Sequence, residues 1–245
     1  MFYRERIKFM DFGLVSEINP SIPHSFLKPF LTFDIDWASD AVLEYCIDIL
    51  EQANVRVTWF ATHQTPLLDR IRENPYFELG IHPNFNPLLE GNFCYGNHYA
   101  KVLEYYLNIV PEAKVMRSHS LGVSSRILME AKVMGITHDC NLCIPIVAGG
   151  GGLIEPFVNW DKLIRCPYHW ADDIACMYED KIDICSIRGD DYFMFGFHPI
   201  HIFLNTASLE QYENAKPFMK DTQKLREKCG HSLNGAKSVL ERLLG

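Results

Sequence analysis

From about residue 30 onward, short apolar runs alternate with stretches of helical period. "PFLTFDID" (29–36), an apolar run closed by acids, predicts a strand. In "SDAVLEYCIDILEQANV", which follows, Ser39 stands at an N-cap position. Val42, Leu43, Cys46, Ile47 and Leu50 then recur at the spacing of one apolar helix face. "VRVTWFAT" (55–62), rich in β-branched and aromatic residues, predicts the second strand. Further strands are expected at 77–82, 115–120, 136–144, 162–170 and 192–200. Helices are expected near 97–110, 124–135, 208–220 and 232–244, the second of these opened by Ser124 and closed by Gly135.

Strands alternating with helices make βαβ units and a parallel sheet. Seven or so units in 245 residues predict one α/β domain over the whole chain, closed or nearly closed into a barrel. The run "AGGGG" (148–152) has no following Lys-Ser or Lys-Thr and reads as a surface loop, not a phosphate loop.

Composition narrows the class. Apolar residues make up 48 % and charged residues 22 %, and the net charge is −8 with no long basic run. Nucleic acid and anionic membrane surfaces are thereby disfavoured as partners. No segment approaches the roughly 20 apolar residues of a membrane span. "MFYRERIKFMDFG" lacks the apolar core of a secretion signal, and eight irregularly spaced cysteines suit a reducing compartment. A cytoplasmic location is expected.

Chemistry in parallel α/β folds collects at the C-terminal ends of strands. Asp34, Asp36, His82, Arg117, His119, His138, Asp139, His169 and His198 all fall at predicted strand ends. Asp34 and Asp36 are the sharpest pair: on a strand, positions i and i+2 face the same way, so two like charges meet. They repel unless a cation intervenes or one holds a proton. His82 ends a strand just before Pro83, and one imidazole with one or two carboxylates suits a divalent metal such as zinc. His198, between aromatic residues and Pro199, is a candidate general acid or base. "CNLC" (Cys140, Cys143) has no second pair at zinc-ribbon spacing, so a structural zinc or redox role is not favoured.

Taken together, "LTFDID", "VRVTWFAT", "ELGIHPNFNP", "VMRSHSLG" and "GFHPIH" resemble, in order, the motifs of the polysaccharide deacetylase family, whose catalytic unit is the NodB-homology domain. The likeness covers about residues 29 to 205. "HPNFNPLL" and "FHPIHIFLNT" are more particularly similar to a branch associated with surface-polysaccharide (O-antigen) gene clusters. The resemblance implies a distorted, incomplete (β/α)7-type barrel and a metal-dependent hydrolase that removes an acyl group, N-acetyl first of all, from an N-acylated sugar. It implies Asp34 as general base, Asp36 and His82 as metal ligands, Arg117 as the group orienting Asp34, and His198 as general acid. Asp139 would be the acid that tunes His198.

One position departs from the family pattern. The second metal histidine falls at Asn86, a neutral and weaker ligand for zinc. His119 is the nearest substitute, with Asp172 or Asp173 of "HWADD" another. Two rival readings follow: a catalytically impaired sugar-binding module, and a different C–N hydrolase acting on formamides or cyclic amides.

Overall fold

The structure is a computed structural model that describes residues 11–145, 153–178, 182 and 187–245. The glycine run at 148–152 and the first ten residues lie outside these. The elements are β1 (Pro29–Asp34), α1 (Asp40–Ala53), β2 (Val57–Ala61), α2 (Leu67–Glu73), β3 (Phe77–Ile81), α3 (Asn86–Leu89), α4 (Tyr99–Ile109) and β4 (Val115–Met116). There follow α5 (Ser125–Val133), β5 (His138–Asp139), β6 (Phe157–Val158), β7 (Ile164–Arg165), β8 (Trp170–Ala171), α6 (Asp172–Tyr178), β9 (Phe193–Phe197), α7 (Pro199–Leu204), α8 (Leu209–Ala215), α9 (Thr222–Arg226) and α10 (Ala236–Leu244).

One nine-stranded sheet runs in the order β6-β7-β5-β4-β3-β2-β1-β9-β8. Its pairings are parallel except β6 with β7. The sheet curls without closing, so β6 and β8 are its free margins and the barrel is incomplete. β1, β2 and β9 are buried at every position, as expected of strands covered on both faces.

Alternation sorts side chains between two cores. Leu31, Phe33, Trp59, Leu79, Phe195 and Phe197 face outward, in one core with Leu43, Ile47, Leu103 and Leu240 from the surrounding helices. Phe30, Phe60, Val115, Cys140, Tyr168 and Met194 fill the interior. Each fully buried aliphatic or aromatic side chain contributes about 1.5–3 kcal/mol. Val15, Ile18 and Phe26 of the N-terminal segment join the interior core and plug its lower end, where the Val15 N–H donates to Thr58 Oγ1 at 3.1 Å. Above this packing, the next inward positions of several strands carry polar groups, and these make the site.

Sequence punctuation matches the structure at α5: Ser124 Oγ accepts from the Ile127 N–H and Gly135 follows at φ +98°. Ser39 has N-cap backbone geometry before α1, but its hydroxyl makes no capping bond. The stretches expected as strands at 136–144 and 162–170 yield only β5, β7 and β8, two residues each.

Candidate active site

Inward parity brings the site together. Phe30, Thr32 and Asp34 share one face of β1; Glu78, Gly80 and His82 share one face of β3 and its extension. Arg117 follows Val115 inward from β4, and His198 follows Met194 and Gly196 from β9. Asp34, Asp36, His82, Arg117, His119 and His198 line one cavity of about 260 Å³.

Asp34 ends β1, and the two acids converge for a reason other than pleating. The strand stops at Asp34, and Asp36 and Trp37 adopt left-handed backbone at φ +36° and +53°. That turn swings the Asp36 carboxylate back over the barrel. His198 Nε2 then lies 3.8 Å from Asp34 Oδ2 and 3.7 Å from Asp36 Oδ2.

Arg117 is fully buried, with its guanidinium between the rings of Phe60 (4.7 Å) and Tyr168 (4.4 Å). Nη1 donates to Asp34 Oδ1 at 3.1 Å and Nε to the Cys140 carbonyl at 3.4 Å. Burial alone would weaken the guanidinium's hold on its proton; the Asp34 charge outweighs this and raises Arg117 above its ordinary value.

Asp36 is ringed by imidazoles: His82 Nε2 and His119 Nδ1 each lie 3.3 Å from its Oδ1. Burial pushes the Asp36 carboxyl up, but the bonds from His119 and His82 and the charge of His198 win and hold it well below the usual carboxylate range. Ligand atoms of Asp36, His82 and His119 all lie within 4.8 Å of one another. Two imidazoles and one carboxylate facing one point are a donor set suited to a borderline divalent cation, so the residues present fit such an ion.

Asn86 is placed differently. Its amide nitrogen donates to Ser120 Oγ at 3.3 Å and its backbone N–H to Asn84 Oδ1. Ser118, His119 and Ser120 are among the residues lining the cavity and Asn86 is not; its amide links the loops after β3 and β4.

His198 is clamped by Asp172, which opens α6. The His198 N–H donates to Asp172 Oδ2 at 2.8 Å, and Nδ1 meets Asp172 Oδ1 at 2.6 Å. Burial works against a charged ring; the carboxylates of Asp172 and Asp173 outweigh it and raise His198 well above its ordinary value. The protonated ring is thus favoured, with Nε2 toward the cavity.

Asp139 was expected beside His198 and is not there. In register, His138 pairs with the inward Val115 and Asp139 with Met116, which belongs to the outer core. Asp139 therefore faces away from the barrel centre. It pairs with Arg165 Nε at 2.5 Å and accepts from the Asn141 amide, whose Oδ1 takes the Ser118 N–H at 2.7 Å. Its place is two steps behind the Arg117–His119 segment, and Asp172 is the acid on His198. His138 bonds the Ile18 carbonyl of the plug, and His169 Nδ1 takes the Met194 N–H. Burial lowers His169 to about 4, so it is a neutral core histidine. The sequence signal for Asp172 was two acids one residue beyond a predicted strand that ends at Trp170, a pattern equally suited to a solvated loop.

A family profile described as WbmS-like polysaccharide deacetylase matches residues 31–216. Among solved structures, the chain is similar to a Bordetella bronchiseptica protein, WbmS, assigned as a polysaccharide deacetylase involved in O-antigen biosynthesis. The two are 40 % identical over 96 % of this chain and 97 % of that one, with a TM-score of 0.88. A Mycobacterium smegmatis protein assigned as a polysaccharide deacetylase matches at 15 % identity, 88 % and 89 % coverage and TM-score 0.49. A family 4 carbohydrate esterase from Bacillus anthracis matches at 18 % identity, 83 % and 77 % coverage and TM-score 0.40. Both are too distant to bear on function. No curated protein matches the chain. With the profile spanning most of the sequence and a relative this similar over nearly its full length, the chain belongs to the WbmS-like polysaccharide deacetylase family.

Proposed function

We propose that this protein is a metal-dependent N-deacetylase acting on an N-acylated amino sugar during assembly of a surface polysaccharide, in the cytoplasm. The observation that carries the reading is the convergence of three different functions on one cavity. These are an acid paired to a buried arginine, a His–His–Asp donor set, and an imidazole held by Asp172 through Nδ1 with its Nε2 turned inward.

Asp36, His82 and His119 would hold the cation, zinc in the first place. When bound, such an ion polarises an acyl carbonyl and makes water a better nucleophile near neutral pH. The chain's own groups handle the protons. Asp34, fixed by Arg117, takes the proton of the attacking water through its Oδ2 side, the oxygen that faces the cavity. His198 delivers its Nε2 proton to the sugar nitrogen as the C–N bond breaks, without which an amide nitrogen is a very poor leaving group. Asp172 fixes the His198 ring by both of its oxygens, so the donor is aimed before substrate arrives.

The test is acyl release by the metal-loaded protein from N-acetyl, N-formyl and cyclic amide derivatives of amino sugars. The reading expects acetate release from an N-acetyl sugar, lost in Asp34→Asn. Turnover confined to the formyl or cyclic compounds supports the other C–N hydrolase. Binding of sugars without turnover of any supports an impaired binding module.

A further inference from the structure

The turn that carries Asp36 also carries an exposed aromatic side chain that the chemistry above does not use. Trp37 follows Asp36 in the same left-handed backbone; it is 40 % exposed and stands against His119, which lines the cavity. A left-handed conformation costs an ordinary L-residue roughly 1–2 kcal/mol, so two in succession persist only where something holds them. The holder is visible: the Trp37 N–H donates to the hydroxyl of buried Thr62 at 3.0 Å. The indole is steadied as well. It meets the His119 ring edge to face at a centroid distance of 5.0 Å.

A second strained pair stands with it. Ser120 and Leu121 adopt φ of +54° and +53°, and both line the cavity. Four of the seven described non-glycine residues with positive φ thus flank this one opening. Strain gathered at a site and held by buried partners marks positioned function.

The cavity itself is smaller than the roughly 300–1,000 Å³ typical of pockets that swallow a drug-sized ligand. It has room for an acyl group and its nitrogen beside Asp34 and His198, and the attached ring must emerge at the mouth. The geometry points to Trp37 as the ring subsite: a rigid platform on which the apolar C–H face of the aminopyranose stacks, placing the acyl group between Asp34, His119 and His198. The assignment rests on the sugar-deacetylase reading, and it adds the residue that distinguishes a pyranose from an open-chain amide. An aromatic face is suited to this, being apolar, wide and cheap to order.

The experiment compares wild type, Trp37→Ala and Trp37→Phe on two probes, N-acetyl-D-glucosamine and open-chain N-acetylethanolamine, by acetate release and by direct binding. The ratio of KM for the sugar to KM for the open-chain amide should rise roughly tenfold in Trp37→Ala and be largely restored in Trp37→Phe, the size expected of one aromatic contact. An equal change on both probes, or none, overturns the subsite. Sugar binding without acetate release in wild type, lost in Trp37→Ala, would refute the hydrolytic reading and keep the subsite. Neither binding nor release of the sugar by wild type overturns both.

Discussion

At the scale of single residues, the Asp172–His198 couple shows how one buried acid sets a task. Its two oxygens grip the backbone and the ring of the same histidine, and its charge favours the imidazolium over the opposing effect of burial. A general acid, the role proposed for His198, contributes about 10²–10⁴-fold, so His198→Ala should lower kcat by that order without loss of metal. Asp172→Asn removes the charge that raises the histidine. The protonated form is then lost at lower pH, and the basic limb of the kcat profile moves down. Profiles of wild type and Asp172→Asn measure this directly, and an unmoved basic limb would refute the role given to Asp172. Much of the residue list was legible: Asp34, Asp36, His82, Arg117, His119 and His198 were all read at strand ends and all line the cavity. The reasons were only partly legible. Asp36 arrives through a left-handed turn that apolar patterning does not announce. Asp139 was misplaced because a two-residue strand gives too short an alternation to tell inward from outward.

At the scale of elements, long strands with strong patterning were readable and short ones were not. β1, β2, β3 and β9 lie within the expected stretches. β6 and α6 have too few residues to show a period and take their form from neighbours. The close fit of β3 on β4 is also a tertiary fact, since a Cβ on Gly80 would stand 2.4 Å from Val115 Cγ2. The junction between plug and barrel carries a pH dependence. Glu78, on the inner face of β3, accepts from the Ser16 N–H at 3.3 Å and the Thr58 hydroxyl at 2.7 Å. Burial raises its carboxyl above the ordinary value of 4.5, and those bonds offset the rise only in part. Between that ordinary value and the raised one, the folded chain binds more protons than the unfolded chain, so stability falls as pH rises. Glu78→Gln should flatten this portion of the stability curve. Urea midpoints from pH 4.5 to neutrality test it; parallel curves for the two proteins would contradict the assignment.

At the scale of the molecule, the incomplete barrel serves as a frame open at one end. The N-terminal segment plugs the lower end, Phe30, Phe60 and Met194 fill the middle, and the polar layer sits above them at the upper end. No described helix is long and apolar enough to cross a membrane. The departure at Asn86 has a structural counterpart within this frame: the loop after β4 brings His119 to Asp36, and the Asn86 amide braces that loop through Ser120. The proposed hydrolysis depends on Asp36, His82 and His119 binding one ion together. Metal content and metal-edge X-ray absorption of protein loaded with zinc and freed of excess are the most direct check. The expected result is one ion per chain with two imidazoles in its shell, one imidazole remaining in His119→Ala, no tight ion in Asp36→Ala, and full occupancy in Asp34→Asn. An ion retained in Asp36→Ala, or an unchanged imidazole count in His119→Ala, would contradict it.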